Sequence, residues 1–433
     1  MPLKPSRFNI LLEDDQLAFN SATCALVRFN LSFRKILLNP NASLSEQDNL
    51  LREQMLSCGF LVPSDLDELS TLRSRYIQSQ SNRDTLALTI LPTDSCNFNC
   101  FYCFQDKKSI HMSSDTANAL VNFIDSNLSG VKKLKVTWFG GEPLLALNLI
   151  HSLSDSLLQL TKRHSCDYEA FIITNGYLLN EPTIQILSQC QIRSVQISLD
   201  GDKLTHDYRR FLPHGGHTFN VILRNLKALL EQDFFVACRI NLDRSNQNSV
   251  PKLLSTLSQF LGSLKSKLTL SFGLILPIAH LDKWDFKLCL SMDEFSACVS
   301  NFSNQMAELG FNIPELYPFF PSPKNTFCAA VRQNSFIIRP DGAIGKCFDC
   351  EQSVGDVFRG IAYESTTKAN LSQWLDFYPF DDSECNNCPV LPFCLGGCPF
   401  FHIFRLKKLC LKWKDDLPAS LRQIFYWKGG VSS

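Results

Sequence analysis

From about residue 85 to 277 the chain alternates two kinds of hydrophobic pattern. Short apolar runs rich in β-branched residues occur at 86–91, 134–139, 171–174, 195–199, 235–242 and 268–276. Between them lie longer stretches, 114–128, 144–160, 182–190, 219–230 and 249–261, in which apolar residues recur every three or four positions. The first kind predicts strands, the second amphipathic helices. Six strands with helical connections predict a parallel sheet of the α/β class. An open sheet and a partly closed barrel both fit this pattern.

The polar positions favour the barrel. Unusual residues follow the strands: Cys96 after the first, Gly140-Gly141-Glu142-Pro143 after the second, and Thr174-Asn175-Gly176 closing the third. Ser198-Leu199-Asp200-Gly201 closes the fourth, and Arg239-Ile240-Asn241 lies in the fifth. Active sites of α/β barrels gather at the C-terminal strand ends. Ordinary strand-to-helix turns would also place glycine there, so the weight comes from five such groups on one rim.

Around this region, residues 1–84 mix short strands, at 8–12 and 25–29, with a charged helical stretch at 45–58. They read as a small α+β domain, joined through 79–83 as a linker. A helix is expected at 291–309 and a Pro- and aromatic-rich connector at 314–323. The division that results is 1–84, 85–290, a connector at 291–325, a cysteine-rich region at 326–415 and a tail at 416–433.

Charge and composition narrow the function. Lys+Arg and Asp+Glu both number 42, so no polybasic surface is implied and neither nucleic acid nor membrane is expected as a partner. No apolar stretch reaches the length of a membrane span, and the first residues lack a secretion signal. A cytoplasmic location is expected. In a reducing compartment the 18 cysteines read as metal ligands or core residues rather than disulfides.

Cys96, Cys100 and Cys103 lie in Cys-Asn-Phe-Asn-Cys-Phe-Tyr-Cys directly after the first strand. Three thiolates can hold a cubic iron–sulfur cluster with one iron left open, whereas a closed site takes four. An open coordination position marks a centre that does chemistry. Further on stand Cys328, Cys347, Cys350, Cys385, Cys388, Cys394, Cys398 and Cys410. Eight thiols suit two four-cysteine iron–sulfur clusters or two zinc sites, and spacing alone leaves the two nearly even. Cys24, Cys58, Cys166, Cys190, Cys238, Cys289 and Cys298 fall outside both groups and read as core residues.

Together the cysteine triplet, Trp138-Phe139-Gly140-Gly141-Glu142-Pro143 and Gln196-Ile197-Ser198-Leu199-Asp200-Gly201 resemble the core of a radical S-adenosylmethionine (SAM) enzyme. Residues 336–347 and the later Cys-x2-Cys-x5-Cys-x3-Cys resemble the SPASM extension found in peptide- and protein-modifying members. The resemblance covers residues 85 to about 415.

It implies a partial (β/α)6 TIM-like barrel with an N-terminal α+β domain and a C-terminal iron–sulfur SPASM domain. It implies a [4Fe–4S] cluster on Cys96, Cys100 and Cys103, with SAM on the open iron. Gly140, Gly141 and Glu142 would meet the SAM amino group, and Tyr102 the adenine. Ser198, Asp200 and Arg209 would meet the ribose or methionine carboxylate, with Arg239 and Asn241 as further candidates. Reductive cleavage of SAM would give a 5′-deoxyadenosyl radical that abstracts a substrate hydrogen.

Two auxiliary [4Fe–4S] clusters would make three in all. Cys328, Cys347 and Cys398 would hold the first, with Cys350 completing it or, in its place, one iron left open to substrate. Cys385, Cys388, Cys394 and Cys410 would hold the second. The activity implied is crosslinking (carbon–carbon, ether or thioether) of a ribosomally made precursor peptide, with a flavodoxin- or ferredoxin-type electron donor. Residues 1–84 would help hold the precursor, with 8–12 as one strand edge.

A formylglycine-generating, sulfatase-maturating enzyme is the alternative. Such relatives carry Asp directly after the cysteine equivalent to Cys347, where this chain has Phe348 and then Asp349. A non-catalytic zinc module is the remote one. Asp349 and Tyr208 are the candidate catalytic residues, with His206 and Asp207 nearby in sequence.

Overall fold

The computed structural model describes the chain except for Phe104 and residues 106–107, 276–285, 313–322, 406–409, 411–416 and 428–433. The end of the sixth expected strand, most of the expected connector and part of the tail therefore lie outside the described residues. The chain divides into two compact units, and each is discontinuous in sequence. One comprises Met1–Ser81, Glu315–Arg332 and Leu375–Ser433; the other comprises Asn82–Pro314 and Gln333–Trp374.

The first unit opens with β1 (Leu3–Pro5), β2 (Asn9–Leu12), β3 (Leu17–Asn20) and β4 (Ala25–Arg28), then α1 (Leu31–Leu38), α2 (Glu46–Ser57), β5 (Leu61–Pro63) and α3 (Glu68–Ser81). β2, β3 and β4 form an antiparallel sheet, and β1 pairs with β5. The expected linker at 79–83 is corrected here. Residues 79–81 are the last turn of α3, because Leu72 and Tyr76 bury one face of that helix and extend the order to its end. Those two side chains share a core with Phe8 and with Val331, Phe377, Phe380, Leu391 and Leu395 from the far end of the sequence. The Tyr76 hydroxyl donates to the Phe377 carbonyl at 2.8 Å.

The second unit holds the strands expected from the apolar runs. They are β6 (Thr85–Ile90), β7 (Lys133–Trp138), β8 (Asp167–Thr174), β9 (Ile192–Ser198), β10 (Phe235–Leu242) and β11 (Leu268–Leu274). All are parallel neighbours in chain order. Between them run α4 (Ser114–Asn127), α5 (Leu147–Arg163), α6 (Glu181–Gln189), α7 (Lys203–Arg209), α8 (Phe219–Glu231) and α9 (Val250–Leu261), and α10 (Met292–Glu308) follows. Each long helix buries residues spaced three or four apart, as Leu120, Phe123 and Ile124 do in α4.

A strand absent from the sequence reading, β12 (Ser335–Ile338), pairs in parallel with β6, and β13 (Ala343–Gly345), β14 (Gly355–Asp356) and β15 (Gly360–Ile361) continue antiparallel beyond it. β11 and β6 are not neighbours, so the parallel strands form an α/β sheet with two ends rather than a closed ring. α11 (Ser365–Leu375) follows β15. Along β6 to β10, buried residues alternate with more exposed ones. In β9 and β10, Val195, Ile197, Cys238 and Ile240 bury one face, while Gln196, Ser198, Arg239 and Asn241 stand on the other. Among the described residues no helix is long and apolar enough to cross a membrane.

Candidate active site

The half-buried face opens on a cavity of about 420 Å3 at the C-terminal ends of the strands. Cys96, Cys100 and Cys103 all line it. The loop that carries them is seated by backbone contacts. The Gly141 amide donates to the Thr93 carbonyl at 3.1 Å and the Glu142 amide to the Ser95 carbonyl at 2.8 Å. A Cβ on Gly140 would stand 2.4 Å from the Thr93 carbonyl oxygen, and one on Gly141 2.2 Å from that of Ser95. Only glycine permits this approach, and Gly140 also takes a φ of 128°.

Tyr102, Gly140, Gly141 and Ser198 are on the cavity wall. Glu142, Asp200 and Arg209 are not; they lie behind it, fully or almost fully buried. The Glu142 carboxylate accepts from the Leu144 amide (3.0 Å), the Thr174 hydroxyl (2.7 Å) and the Asn175 amide (2.8 Å). Burial pushes its pKa up, and these three donors act against that shift. Its carboxylate thus ties β7 to the end of β8.

Asp200 is the hub of a second network. It accepts from the Tyr102 hydroxyl and from the Asn241 amide (3.0 Å), and its own amide donates to His206 Nδ1 at 3.2 Å. Burial would raise its pKa, but Arg210, Arg209 and Tyr102 prevail and hold it below the usual carboxylate range. Arg210 lines the cavity, donates to the Tyr102 hydroxyl at 2.6 Å and stands 3.7 Å from Asp200. Arg209 lies under the Phe101 and Tyr102 rings, 5.2 and 4.9 Å from their centres, and pairs with Asp243 at 2.8 Å. Its role is therefore to hold the aromatic pair between Cys100 and Cys103.

Of the catalytic candidates, Asp349 lines the cavity beside Phe348, whose ring meets Phe139 at 4.8 Å. Tyr208 is 78 % exposed, and its ring meets that of Phe101 at a tilt, 6.1 Å between centres. His206 is fully buried, which pulls its pKa down to about 3 and keeps it neutral. Asp207 accepts at 2.8 Å from the Thr218 and Phe219 amides that open α8. Both residues therefore serve the fold.

Arg210, Gln196 and Asn175 also line the cavity without having been assigned as site residues from the sequence. The signal for Gln196 was present: polar residues two apart in an otherwise apolar parallel strand point to a lined cavity. Arg210 had no such signal, since its sequence context matches that of Arg209.

The later cysteines are distributed over both units. Cys347 and Cys350 form one turn of the second unit, with the Cys350 amide 3.4 Å from the Cys347 carbonyl. Burial raises the Cys350 thiol pKa. In the first unit the Cys388 amide donates to the Cys385 carbonyl at 3.0 Å, and Cys388 and Cys394 pack against the core around Phe19 and Phe393. These lie near α12 (Ser383–Asn386) and α13 (Leu391–Cys394), ahead of α14 (Pro399–Phe404) and α15 (Leu417–Trp427). Cys328 and Cys398 are half-buried and Cys410 is exposed. Among the described residues no three His, Cys, Asp or Glu side chains converge as the shell of a single ion would. A cubic cluster makes no such demand, because each thiolate takes a different iron. Three half-buried cysteines around one cavity fit such a group.

Residues 90–250 match the family described as the Radical SAM superfamily. The chain carries a radical SAM domain. This domain implies SAM and a [4Fe–4S] cluster as its cofactors. Among curated proteins, the chain is 24 % identical over 220 residues to the radical SAM cyclopropyl synthase TigE of Paramaledivibacter caminithermalis, covering 46 % of this chain and 45 % of that protein. It therefore spans under half of that relative's length. It is 24 % identical over 331 residues to a serine-type anaerobic sulfatase-maturating enzyme of Klebsiella aerogenes, covering 70 % of this chain and 77 % of that one.

Two solved structures share the fold. Native anSMEcpe with bound AdoMet and Cp18Cys peptide aligns with a TM-score of 0.59 at 18 % identity, covering 80 % of this chain and 97 % of that one. Streptococcus suis SuiB bound to precursor peptide SuiA aligns with a TM-score of 0.53 at 14 % identity, covering 92 % and 95 %.

Proposed function

We propose that the protein is a radical SAM/SPASM maturase that crosslinks side chains of a ribosomally made precursor peptide. The observation that carries this reading is one cavity lined by Cys96, Cys100 and Cys103, by Gly140 and Gly141, and by Phe348 and Asp349. The last two come from a turn more than 200 residues beyond the triplet, so the later cysteine region supplies part of the wall. Both solved structures named above hold a peptide, which supports a peptide substrate here.

The three cysteines would hold the cluster, and Gly140, Gly141, Ser198 and Arg210 would hold SAM. When bound, that pair supplies the reductive bond cleavage that starts hydrogen abstraction from the substrate. Arg210 and Asp200 fix the Tyr102 hydroxyl, so that ring forms a rigid wall for the adenine. The amine-facing role expected of Glu142 passes to the Gly140 and Gly141 backbone, since the carboxylate is already taken by three donors. Phe139, Phe348 and Leu274 exclude water, and Asp349 is the acid–base candidate at the substrate. Auxiliary clusters on the later cysteines would accept the electron released on crosslinking, and a flavodoxin- or ferredoxin-type protein would supply the first.

Anaerobically reconstituted protein should carry about twelve irons, four for each of three clusters, and yield 5′-deoxyadenosine from SAM under reduction. Co-expression with a short peptide encoded beside it should remove two hydrogens per crosslink, read by mass spectrometry. Absence of SAM cleavage would overturn the reading. The second reading, sulfatase maturation, is favoured by the length of the match to the Klebsiella enzyme. A product aldehyde that reacts with a hydrazide would establish it instead.

A further inference from the structure

Three residues, Asn97, Phe98 and Asn99, separate Cys96 from Cys100. Each of them is fixed from outside the cysteine loop. The Asn175 side chain, at the end of β8, donates from Nδ2 to Asn97 Oδ1 at 2.7 Å. The Phe98 ring is fully buried and edge-on to Tyr177 at 5.8 Å, and the Arg210 guanidinium stands 5.8 Å from its centre. The Asn99 amide donates to the Phe211 carbonyl at 2.8 Å.

Asn175 is itself locked. Its backbone amide donates to the Glu142 carboxylate at 2.8 Å, and its Oδ1 accepts from the Tyr177 amide at 3.0 Å. A backbone amide can only donate, so the Asn175 oxygen faces Tyr177 and the nitrogen faces Asn97. Asn175 is 6 % exposed, and both ends of its carboxamide have a protein partner. Its side chain therefore serves the loop, although the residue lies on the cavity wall.

These contacts converge on one thiol. The Phe98 amide donates to Cys96 Sγ at 3.4 Å. The peptide unit that carries this N–H joins Asn97 to Phe98. Asn175 grips it on one side, and Tyr177 and Arg210 grip it on the other. Hydrogen bonds to the sulfurs are among the features that set the potential of an iron–sulfur cluster. An N–H aimed at a thiolate offsets negative charge on the sulfur and so favours the reduced state. The bond lasts only while the peptide unit keeps its orientation.

We propose that Asn175, acting through Asn97, is a positioning residue that aims the Phe98 amide at Cys96 and so raises the reduction potential of the cluster. This rests on the [4Fe–4S] cluster that the radical SAM domain implies, and is independent of which substrate is modified. Neither asparagine is a ligand in this arrangement. Each acts on the cluster through the backbone of the loop.

The test uses reconstituted holoenzyme as wild type, Asn175→Ala, Asn97→Ala and the double variant, with iron content and circular dichroism as checks on loading and fold. The midpoint potential is read by titration monitored by electron paramagnetic resonance, in the absence of SAM. Each single variant moves the potential to a more negative value and releases iron to a chelator roughly tenfold faster. Both remove the same hydrogen bond, so the double variant moves the potential no further than either single one.

A wild-type potential in both single variants overturns the proposal, and so do shifts that add in the double variant. If Asn175→Ala does not fold, Asn97→Ala decides alone: a negative shift supports the proposal and an unchanged potential overturns it. Failure of the radical SAM reading is seen separately, as wild type that does not cleave SAM under reduction.

Discussion

At the scale of single residues, the site depends on positions where packing or burial leaves no freedom. Gly141, on the cavity wall, is one. A methyl group there would stand 2.2 Å from the Ser95 carbonyl oxygen and 2.5 Å from that of Asp94, and backbone cannot yield cheaply. Gly141→Ala should cost about 1–3 kcal/mol, the usual range for overpacking, read as a lower Tm of the metal-free protein, and should reduce iron retained on reconstitution. His206 is another. Its folded pKa of about 3 lies below the unfolded 6.5, so the unfolded chain binds the extra proton between those values. Stability from this group is present above pH 6.5 and falls as pH drops toward 3, at up to about 1.4 kcal/mol per pH unit. His206→Asn should flatten that part of the curve of urea midpoint against pH. An unchanged slope would mean that His206 is not buried neutral. The triplet and the glycine pair were legible in the sequence because their chemistry depends on residue type and spacing. The inward placement of Asp200 and Arg209 was not, because burial behind a wall is a tertiary fact that leaves no local pattern.

Among elements, the six parallel strands were legible as short apolar runs and α4, α5, α6, α8 and α9 as repeats at three or four, whereas the short α7 was not. β12 was missed for a physical reason. Its Phe336, Ile337 and Ile338 are all buried, and so short an apolar run does not declare its partner. α3 was missed because only Leu72 and Tyr76 are buried in fourteen residues, too few to set a helical period. The start of α8 is held by a side chain from another helix: Asp207, in α7, accepts from the amide of Thr218, just before α8, and from that of Phe219, its first residue. Asp207→Ala should therefore cost about 1–2 kcal/mol, as loss of a capping residue does, measured by urea denaturation. Asp207→Asn should recover most of it, since the amide oxygen can accept the same bonds.

For the whole molecule, the unit that contains the first 81 residues is closed by the last part of the chain. Phe8, Leu72 and Tyr76 share one core with Val331, Phe377, Phe380, Leu391 and Leu395. Removal of residues 1–81 should thus leave an apolar surface in the C-terminal region. The truncated protein is expected to aggregate or to be cleaved by trypsin beyond residue 375, while the full chain resists. A truncated protein that is monomeric and protease-resistant would show that the leading segment is dispensable. The same shared core has a consequence during synthesis. The first 81 residues cannot finish folding as they leave the ribosome, because their core partners, from Val331 onward, are made much later. At about 5–20 residues per second the wait is on the order of tens of seconds. During that interval Cys385, Cys388 and Cys394 do not yet exist and the surfaces meant to receive them stand bare. On the proposed reading, iron delivered early would find only the first triplet, and auxiliary clusters on the later cysteines would be loaded afterwards.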